Sequence, residues 1–368
     1  MNKPMRVLCV FSCLDRGGSE TMCMNIYRSI DRKKVQFDFV KHTQDIGAYE
    51  EEILALGGRI FSAPKIRFNS IFKYVNWWKK HLKEHEEHHI IHIFYFTWTA
   101  VIAPIVHRFN RYVVGHCHTS FSVSNIKSFI EKIFIRIGGT QIDYALACSD
   151  KAGRFMFGKR DYHVLKNSID TNLYQYDPLV RQRSRNSYDS NDIIIGHIGR
   201  FVPVKNHQFL LDIFSSLKNK IQNVKLMLVG DGTLHENIEK HAKKLGIYDD
   251  IIFTGVRSDV NELLQAMDYF VFPSLFEGLP VTLVEAQTSG LPITMSDKVP
   301  EEAILTKDLV TIMSLEQSAD EWADHILSRL GKERYSHVEE IKAAGYDIAD
   351  TSKWLEEFYL SKADEMRQ

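Results

Sequence analysis

Short, continuous runs of Val, Ile and Leu alternate with helical patterns along most of this 368-residue chain. Such uninterrupted apolar runs are typical of parallel strands that helices bury on both faces of a sheet. The first half contains the runs RVLCVFS, QFDFVKH, GRIFSAP, IIHIFYF, YVVGHCH and DYALACS. The pattern then restarts at residue 192 with DIIIGHIG, followed by VKLMLVGDG, DIIFTG, YFVFPS and LPITMSD. The sequence therefore predicts an α/β protein with two doubly wound, Rossmann-like parallel-sheet domains in tandem.

The length of the chain also favours two domains, because 368 residues exceed one ordinary hydrophobic core. We predict a first domain at 1–175, a polar linker at 175–192 and a second domain at 190–349. A final helix at about 350–368 has no strand after it and is expected to pack back on the first domain. Since ligands of such sheets bind beyond the carboxyl ends of the strands, we expect the site in a cleft between the two domains.

Charge is distributed unevenly along the chain. The total is −1, but residues 1–170 carry a net charge of +9 and residues 171–368 carry −10. This split supports two separate lobes, of which the first faces an anionic partner. We expect that partner to be an anionic membrane surface rather than nucleic acid.

Cysteine usage and hydropathy indicate a cytoplasmic protein. The five cysteines are an odd number without a CxxC pair, which favours reduced core thiols over disulfides or a zinc site. No apolar run reaches the roughly 18 residues that span a bilayer. The apolar stretch from Val7 to Leu14 is interpreted as a buried strand rather than as part of a signal peptide.

The segment FPSLFEGLPVTLVEAQTSGLP at 272–292 carries two carboxylates, Glu277 and Glu285. Pro280 suits the first position of a helix, so the amides of Gly278 and Leu279 are predicted to be free at its N-terminus, where they could bind an anion. Glu285 falls in the second turn, within reach of a ribose diol. Each Glu alone could be a surface acid that complements the helix dipole. Their combination with the free amides favours a nucleotide site.

Two cations follow a buried strand in GRFVPVKNH. Arg200 offers a planar guanidinium fork and Lys205 a point charge, and a diphosphate can use both. Taken alone, this spacing is also compatible with two solvated surface cations.

Two further loops follow strands of the first half. Gly17 and Gly18 allow close backbone approach before a helix that Ser19 could cap, although a simple tight turn is the alternative. His116 and His118 lie two positions apart at a strand end and are expected to point the same way. A contact of His118 with a sugar or phosphate is favoured over a metal pair, and an ordinary loop histidine remains the alternative.

In this order, the segments resemble those of glycosyltransferase family 4, whose members are retaining enzymes with the GT-B fold. PSLFEGLPVTLVEAQTSGLP resembles the E-x7-E signature, and GRFVPVKNH resembles the R-x4-K phosphate clamp. GGSE, HCHTS, ALACSD and the stretch from LVGDG to VRSDV are similar to further family segments, so the resemblance covers nearly the whole chain. One departure is Asn167-Ser168-Ile169-Asp170, where the family often has Gly in second place; this leaves the local turn geometry open.

The resemblance implies roles for the donor side of the site. Arg200 and Lys205 would neutralise the diphosphate of a nucleotide-sugar, and Glu285 would hold its ribose. Glu277 and the amides that follow it would contact the donor sugar and its phosphate.

The resemblance also implies roles for residues outside these loops. Gly17 and Gly18 would leave room for the diphosphate or the acceptor, and His118 would touch the sugar. The backbone of Val256 and Arg257 would line the base.

The resemblance thus implies a retaining glycosyltransferase that transfers sugar from a nucleotide-sugar, with UDP the favoured nucleotide, to a polysaccharide or lipid-linked glycan acceptor of the capsule, exopolysaccharide or cell envelope. No D-x-D occurs, so neither metal nor cofactor is expected. Basic, apolar segments at 73–89 and 124–137 suggest peripheral contact with the inner face of the membrane. The alternative is that these apolar stripes pack on a sheet, with the Lys stems covering apolar surface. The alternatives are a catalytically silent GT-B scaffold and a GT-B sugar-nucleotide epimerase. A NAD-dependent enzyme has little support, because no G-x-G-x-x-G follows the first strand.

Overall fold

The computed structural model describes residues 3–65, 70–94, 98–118, 135–188 and 192–367. The chain forms two compact units. The first combines Met1–Ser168 with Asp347–Gln368, and the second is Ile169–Tyr346.

Each unit is built on a parallel sheet. In the first unit, the described strands have the order β3-β2-β1-β4-β5-β6-β7. In the second, the order is β10-β9-β8-β11-β12-β13. The strands are β1 Met5–Val10, β2 Val35–Lys41, β3 Ile60–Ser62, β4 His88–Ile93, β5 Tyr112–Cys117, β6 Tyr144–Ala147, β7 His163–Val164, β8 Ile193–Ile198, β9 Val224–Val229, β10 Ile251–Gly255, β11 Tyr269–Phe272, β12 Ile293–Ser296 and β13 Val310–Met313.

Helices cover both faces of each sheet. Those with described bounds are α1 Gly18–Ser29, α2 Glu50–Ala55, α3 Ile71–Glu84, α4 Thr99–His107, α5 Asp150–Phe157, α6 Thr171–Tyr174, α7 Pro178–Asn186, α8 His207–Lys220, α9 His235–Leu245, α10 Val260–Ala266, α11 Val281–Thr288, α12 Ala319–Arg329, α13 Val338–Ala343 and α14 Ile348–Arg367. In both sheets the strand order reverses beside the first strand of the unit, which makes the loops after β1 and β4, and after β8 and β11, the topological switch points.

The two-sided burial of the strands explains their apolar composition. In β1, Val7 and Cys9 pack towards α1 and α14, while Leu8 and Val10 pack towards α3 and α4. In the second unit, β8 is also buried on both faces, since Ile195 and Ile194 belong to separate apolar clusters. The prediction of two doubly wound parallel-sheet domains is confirmed.

The boundary between the units corrects one prediction. The described part of the predicted linker, residues 175–188, is not a linker. It contains α7, Pro178–Asn186, which belongs to the second unit. Arg181 anchors this helix by donating to the carbonyls of Gln265 and Met267 at 2.8 Å each and by pairing with Asp268. The polar sequence is therefore the solvent-facing side of a packed helix. The chain instead leaves the first unit after Ser168.

Two smaller differences concern strands and the basic segments. The short strands β7 and β13 were not predicted, and each lies at one edge of its sheet. The segment 73–89 forms most of α3, but Trp78 is fully buried in the core of the first unit. Most of the segment 124–137 lies outside the described residues.

The local turn geometry at Asn167-Ser168-Ile169-Asp170 does not require Gly at position 168. Asn110 and Asn206 are the non-glycine residues with positive φ in the described parts of the chain, so Ser168 needs no left-handed conformation. Its hydroxyl instead lies 2.6 Å from the Thr351 hydroxyl in α14. The missing Gly therefore causes no backbone strain.

Candidate active site

The candidate site of the second unit lies at the switch point between β8 and β11. The loop after β8 carries Arg200 and Lys205, and the loop after β11 carries Glu277. Because both strands are parallel neighbours, their carboxyl ends bring the two loops to the same edge of the sheet.

Arg200 and Lys205 differ in their surroundings. Arg200 is exposed, and its guanidinium has no hydrogen-bond or ion-pair partner among the described residues. Lys205 ends a short 3-10 helix at Pro203–Lys205. Its ammonium lies 2.7 Å from Oε1 of Glu277 and 4.8 Å from the centre of the Phe272 ring. The structure thus places one free and one paired cation on this loop.

Two hydrogen bonds also join the two loops. The Leu275 amide donates to the Val204 carbonyl at 2.8 Å, and Nδ2 of Asn206 donates to the Pro273 carbonyl at 3.1 Å. Asn206 adopts φ 57°, a left-handed conformation that Asn tolerates better than most residues. Sequence reasoning missed Asn206, although an Asn directly before a helix was a usable signal.

The loop after β9 supports the loop that carries Arg200. Gly230 has φ 130°, and a Cβ there would lie 2.2 Å from the Gly199 carbonyl oxygen. A Cβ on Gly232 would lie 2.6 Å from the Phe201 carbonyl oxygen. The Phe201 amide donates to the Asp231 carbonyl at 2.9 Å. The GDG sequence therefore permits close packing of two loops, a role that sequence reasoning did not assign.

The helix after Glu277 begins one residue later than predicted. Val281 is the first residue of α11, and Pro280 takes the N-cap position with φ −75° and ψ 116°. The amides of Gly278 and Leu279 have no acceptor among the described residues. Space around the Gly278 Cα is open, since a Cβ there would meet nothing within 4 Å. These two amides are free beside the ion pair of Lys205 and Glu277.

Glu285 lies in the second turn of α11 and is half-buried. Burial raises the pKa of its carboxyl group to about 7, while a hydrogen bond from Tyr174 in α6 acts in the opposite direction. This carboxyl group therefore changes charge near neutral pH. Tyr174 is the second residue of the site that sequence reasoning missed, because it lies far from Glu285 in sequence.

Val256 and Arg257 follow β10, two strands away from the switch point. Gly255 turns the chain with φ 68°, and the Val256 side chain is 62% exposed. The Arg257 guanidinium pairs with the Asp259 carboxylate, with Nε 2.8 Å from Oδ1. An exposed apolar side chain at a strand end provides a surface on which a flat ring could lie.

In the first unit, Gly17 and Gly18 lie at the start of α1, at the switch point of that sheet. Gly17 occupies the N-cap position, so the prediction that Ser19 caps this helix is wrong. The Ser19 hydroxyl instead donates to Oε2 of Glu20 at 2.7 Å. A Cβ on Gly17 would lie 2.3 Å from the same oxygen, whereas the space beside Gly18 is open. The Glu20 carboxylate thus folds over this helix start.

His118 belongs to a row of aromatic rings at the ends of β4 and β5. The centre of its ring lies 4.2 Å from that of His116, as expected for side chains two positions apart on a strand. It lies 5.7 Å from the centre of the Phe94 ring. His116 in turn stacks on His92 at 5.4 Å, and the His92 ring bonds to the Tyr359 hydroxyl. Burial lowers the pKa of His118 to about 4 and that of His92 to about 3, so both rings are neutral. Sequence reasoning missed His92, a polar residue inside an apolar strand.

Comparison with known proteins decides the family. Residues 180–347 match the model of the Glycosyl transferases group 1 family, and residues 16–173 match that of Glycosyltransferase Family 4. A Bacillus subtilis (strain 168) protein named as the glycosyltransferase EpsF is 37% identical over 357 residues, which cover 93% of each chain. This chain belongs to glycosyltransferase family 4.

Two further relatives extend the comparison. The capsular polysaccharide biosynthesis glycosyltransferase CapH of Staphylococcus aureus is 24% identical over 372 residues, covering 97% of this glycosyltransferase and 99% of CapH. The crystal structure of HepE from Anabaena in complex with UDP and glucose has a TM-score of 0.77 at 19% identity, covering 97% and 100% of the two chains. The structural likeness confirms the GT-B fold. Neither the scaffold nor the epimerase alternative is favoured by these relatives.

The described helices of this glycosyltransferase include none that is both long enough and apolar enough to span a bilayer. In the same residues, no cluster of three or more His, Cys, Asp or Glu side chains is arranged to hold a metal ion.

Proposed function

We propose that this glycosyltransferase transfers a sugar from a UDP-sugar to a polysaccharide or lipid-linked glycan acceptor during synthesis of a capsule, exopolysaccharide or other envelope glycan, with retention of the anomeric configuration. The name of EpsF supports glycosyl transfer, the name of CapH supports the class of product, and the UDP bound to HepE supports the nucleotide. The observation that carries the proposal is the cluster of Arg200, Lys205, Glu277 and the free amides of 278–279 at one switch point.

The arrangement suits a diphosphate leaving group. Arg200 is free to pair with phosphate oxygens, and the Lys205 ammonium has donors to spare beyond its bond to Glu277. The amides of Gly278 and Leu279 add neutral donors at the start of α11. Because these groups are held in place before the reaction, they can stabilise negative charge as it develops on the diphosphate.

In the proposed reaction, the bond between the anomeric carbon and the phosphate oxygen breaks, and its electron pair stays on the diphosphate. An acceptor hydroxyl forms the new bond on the face that the diphosphate leaves, and its proton passes to a phosphate oxygen. Glu277 keeps one carboxylate oxygen for a sugar hydroxyl while the other accepts from Lys205. The proposal assigns charge neutralisation to Arg200 and Lys205, so transfer should continue in the presence of a chelator.

The other site residues have proposed roles in the same complex. Glu285 receives the two ribose hydroxyls, and the backbone at Val256 and Arg257 borders the base. In the first unit, the neutral ring of His118 contacts the donor sugar, and the open space beside Gly18 accommodates the diphosphate or the acceptor.

A donor panel tests this function. Thermal denaturation in the presence of UDP-, GDP- and ADP-sugars should show selective stabilisation by a UDP-sugar, since a ligand that binds only the folded state raises its stability. Transfer to a lipid-diphosphate-linked monosaccharide is then followed by NMR, with the anomeric coupling constant of the product reporting retention or inversion. Release of a new sugar-nucleotide without an acceptor would support an epimerase instead, and nucleotide binding without turnover would support a scaffold.

Lys205→Ala provides the site-specific test, with Lys218→Ala as its matched control. Both lysines are about four-fifths buried, and both form ion pairs, Lys205 with Glu277 at 2.7 Å and Lys218 with Asp250 at 2.8 Å. Lys205 lies just before α8, in the loop at the switch point, whereas Lys218 lies in the last turn of that helix. We expect Lys205→Ala to abolish transfer while the chain remains folded, and Lys218→Ala to retain it. Equal activity in the two variants would remove Lys205 from the site.

Contact with an anionic membrane surface is part of the same proposal. At the start of α3, Phe72 is 82% exposed and is followed by the exposed cations Lys73, Lys80 and Lys83. An apolar side chain beside such cations can enter the interface of an anionic bilayer. The wild-type chain should sediment with phosphatidylglycerol vesicles but not with phosphatidylcholine vesicles. Phe72→Ser should reduce the fraction that sediments with phosphatidylglycerol vesicles. No difference between the two lipids would contradict membrane contact.

A further inference from the structure

Three histidine rings form a row at the carboxyl ends of β4 and β5 in the first unit. The rings of His92 and His116 stack at 5.4 Å with an angle of 10° between their planes, and the His118 ring follows 4.2 Å from His116. The Phe94 ring connects the two ends of the row, because its centre lies 4.2 Å from that of His92 and 5.7 Å from that of His118. His118 is therefore supported by two rings that both pack on His92.

The hydroxyl of Tyr359, in α14, holds the His92 end of the row. Nδ1 of His92 lies 2.5 Å from the Tyr359 hydroxyl oxygen, and both side chains are fully buried. The Tyr359 ring is itself fixed in place, since the Phe37 ring of β2 packs against it edge to face at 6.0 Å. One hydrogen bond thus sets the orientation of the His92 ring.

The polar character of His92 has an energetic cost. Its Nε2 atom is buried and has no hydrogen-bond partner among the described residues. Burial of an unpaired polar atom is unfavourable, and a phenylalanine ring would fill a similar space without this penalty. Burial also lowers the pKa of His92 to about 3, so the ring contributes no charge. What histidine provides here and phenylalanine would not is the bond to Tyr359.

We propose that Tyr359 is a positioning residue for His118, which acts through His92 and the stacked rings. The inference rests on the proposed function, in which His118 contacts the donor sugar. A ligand-binding side chain has to lie within about 0.5 Å and 10–20° of its productive geometry. Because His92 is fixed, the two rings that pack on it are fixed as well. His118 is then held in place before the sugar arrives, which reduces the cost of ordering it on binding.

Tyr359→Phe removes the hydroxyl and keeps the ring, so the His92 ring loses the bond that fixes its orientation. The test compares binding of UDP and of a UDP-sugar by isothermal titration calorimetry. The UDP-sugar is the tightest binder to the wild type among UDP-glucose, UDP-galactose, UDP-N-acetylglucosamine and UDP-N-acetylgalactosamine. We expect Tyr359→Phe to weaken its binding roughly three- to tenfold, which corresponds to about one hydrogen bond. Affinity for UDP should stay unchanged, because UDP lacks the sugar that is transferred.

Nuclear magnetic resonance reports the position of the His118 ring itself. In protein labelled with ¹³C at the histidine Cε1 atoms, the His118 signal is identified by its absence from the spectrum of His118→Ala. Its chemical shift depends on the ring currents of the stacked neighbours, so it should move in Tyr359→Phe. An unchanged His118 signal in this variant would overturn the inference.

Tyr74→Phe is the matched control. Tyr74 is also fully buried in the first unit, and its hydroxyl lies 2.8 Å from Nε2 of His42, so this variant also removes a bond between tyrosine and histidine. Because His42 is not part of the row, the UDP-sugar affinity and the His118 signal should both be unchanged. An equal loss of affinity in Tyr74→Phe and Tyr359→Phe would show a general disturbance of the first unit and would overturn the inference.

Two further variants keep the test decisive. His92→Phe retains a stacking ring but removes the bond to Tyr359, so it should weaken UDP-sugar binding and move the His118 signal as Tyr359→Phe does. It carries the test if Tyr359→Phe does not fold. In a His118→Ala background, Tyr359→Phe should have no further effect on UDP-sugar affinity, because the group that it positions is gone.

The outcomes distinguish this inference from the proposed function. If His118→Ala weakens UDP-sugar binding but neither Tyr359→Phe nor His92→Phe does, Tyr359 has no positioning role, while the proposed function stands. If His118→Ala binds the UDP-sugar as tightly as the wild type, the sugar contact of His118 and the inference both fall, while the UDP site remains. Failure of the wild-type chain to bind UDP would overturn both the inference and the proposed function.

Discussion

The Lys205 ammonium and the Glu277 carboxylate form an ion pair of 2.7 Å that joins the loops after β8 and β11. Their side chains are 16% and 13% exposed, so most of the pair is shielded from water. Both residues are proposed to contact the donor. The ion pair therefore holds these two groups in place before the ligand arrives, which reduces the cost of ordering them on binding.

Breaking this pair should destabilise the ligand-free protein. Lys205→Ala or Glu277→Ala leaves one charge largely buried without its partner, which we expect to cost roughly 1–3 kcal/mol. The double variant should cost less than the sum of the two, because no unpaired charge remains. Differential scanning calorimetry of the four proteins measures this coupling, and strictly additive shifts in melting temperature would contradict it.

Arg200→Ala should separate activity from stability. Arg200 is exposed and has no described partner, so its removal should change stability by no more than about 0.5 kcal/mol. Transfer should fall by roughly two to three orders of magnitude, as for loss of a group that stabilises charge in the transition state. Arg183→Ala, which removes another exposed arginine of the same unit, is the control for a simple change in net charge. Similar activity in both variants would exclude Arg200 from catalysis.

Stability should depend on pH through Glu285. Its pKa is about 7 in the folded protein against an ordinary value of 4.5, so the folded state binds more protons between these two pH values. Stability from this group is therefore present below about pH 4.5 and is lost as pH rises towards 7. Glu285→Gln should thus be more stable than wild type at pH 8, by up to about 3 kcal/mol, and similar to it near pH 4.5. If the melting temperatures of wild type and Glu285→Gln differ by the same amount at both pH values, the raised pKa of Glu285 is contradicted.

Gly230→Ala should disturb the site without touching the ligand. A Cβ there would clash with the Gly199 carbonyl oxygen and would also require a non-glycine residue at φ 130°. Either the stability of the second unit or the position of the Arg200 loop must change, so we expect a lower melting temperature together with weaker UDP binding. Gly246→Ala is the control, since it also has positive φ but open space around it. Its cost should be about 1 kcal/mol or less, without an effect on binding.

The positions of the candidate residues in the fold were predictable from sequence wherever the signal was local. Arg200, Lys205 and Glu277 follow strand ends and Glu285 lies in the helix after Glu277, as the local patterns predicted. Local patterns were less reliable at helix ends. Ser19 was expected to cap α1, but Glu20 folds over Gly17 instead, and α11 begins at Val281 rather than at Pro280.

The polar segment at 175–192 shows why composition alone misled the prediction of domain boundaries. It has the residues of a linker, yet α7 packs on the second unit because Arg181 and Arg185 both pair with Asp268. Sequence alone does not distinguish an arginine that pairs with a buried partner from one that is exposed to solvent.

The sequence by itself determined the class of fold and the family, because buried parallel strands and short loop motifs are properties of neighbouring residues. Tertiary structure alone decided that Lys205 meets Glu277 and that Gly230 supports the loop of Arg200. These partners are far apart along the chain, and only the order of strands in the sheet brings their loops together. The same holds for the pKa of Glu285, which depends on what surrounds the carboxyl group in space.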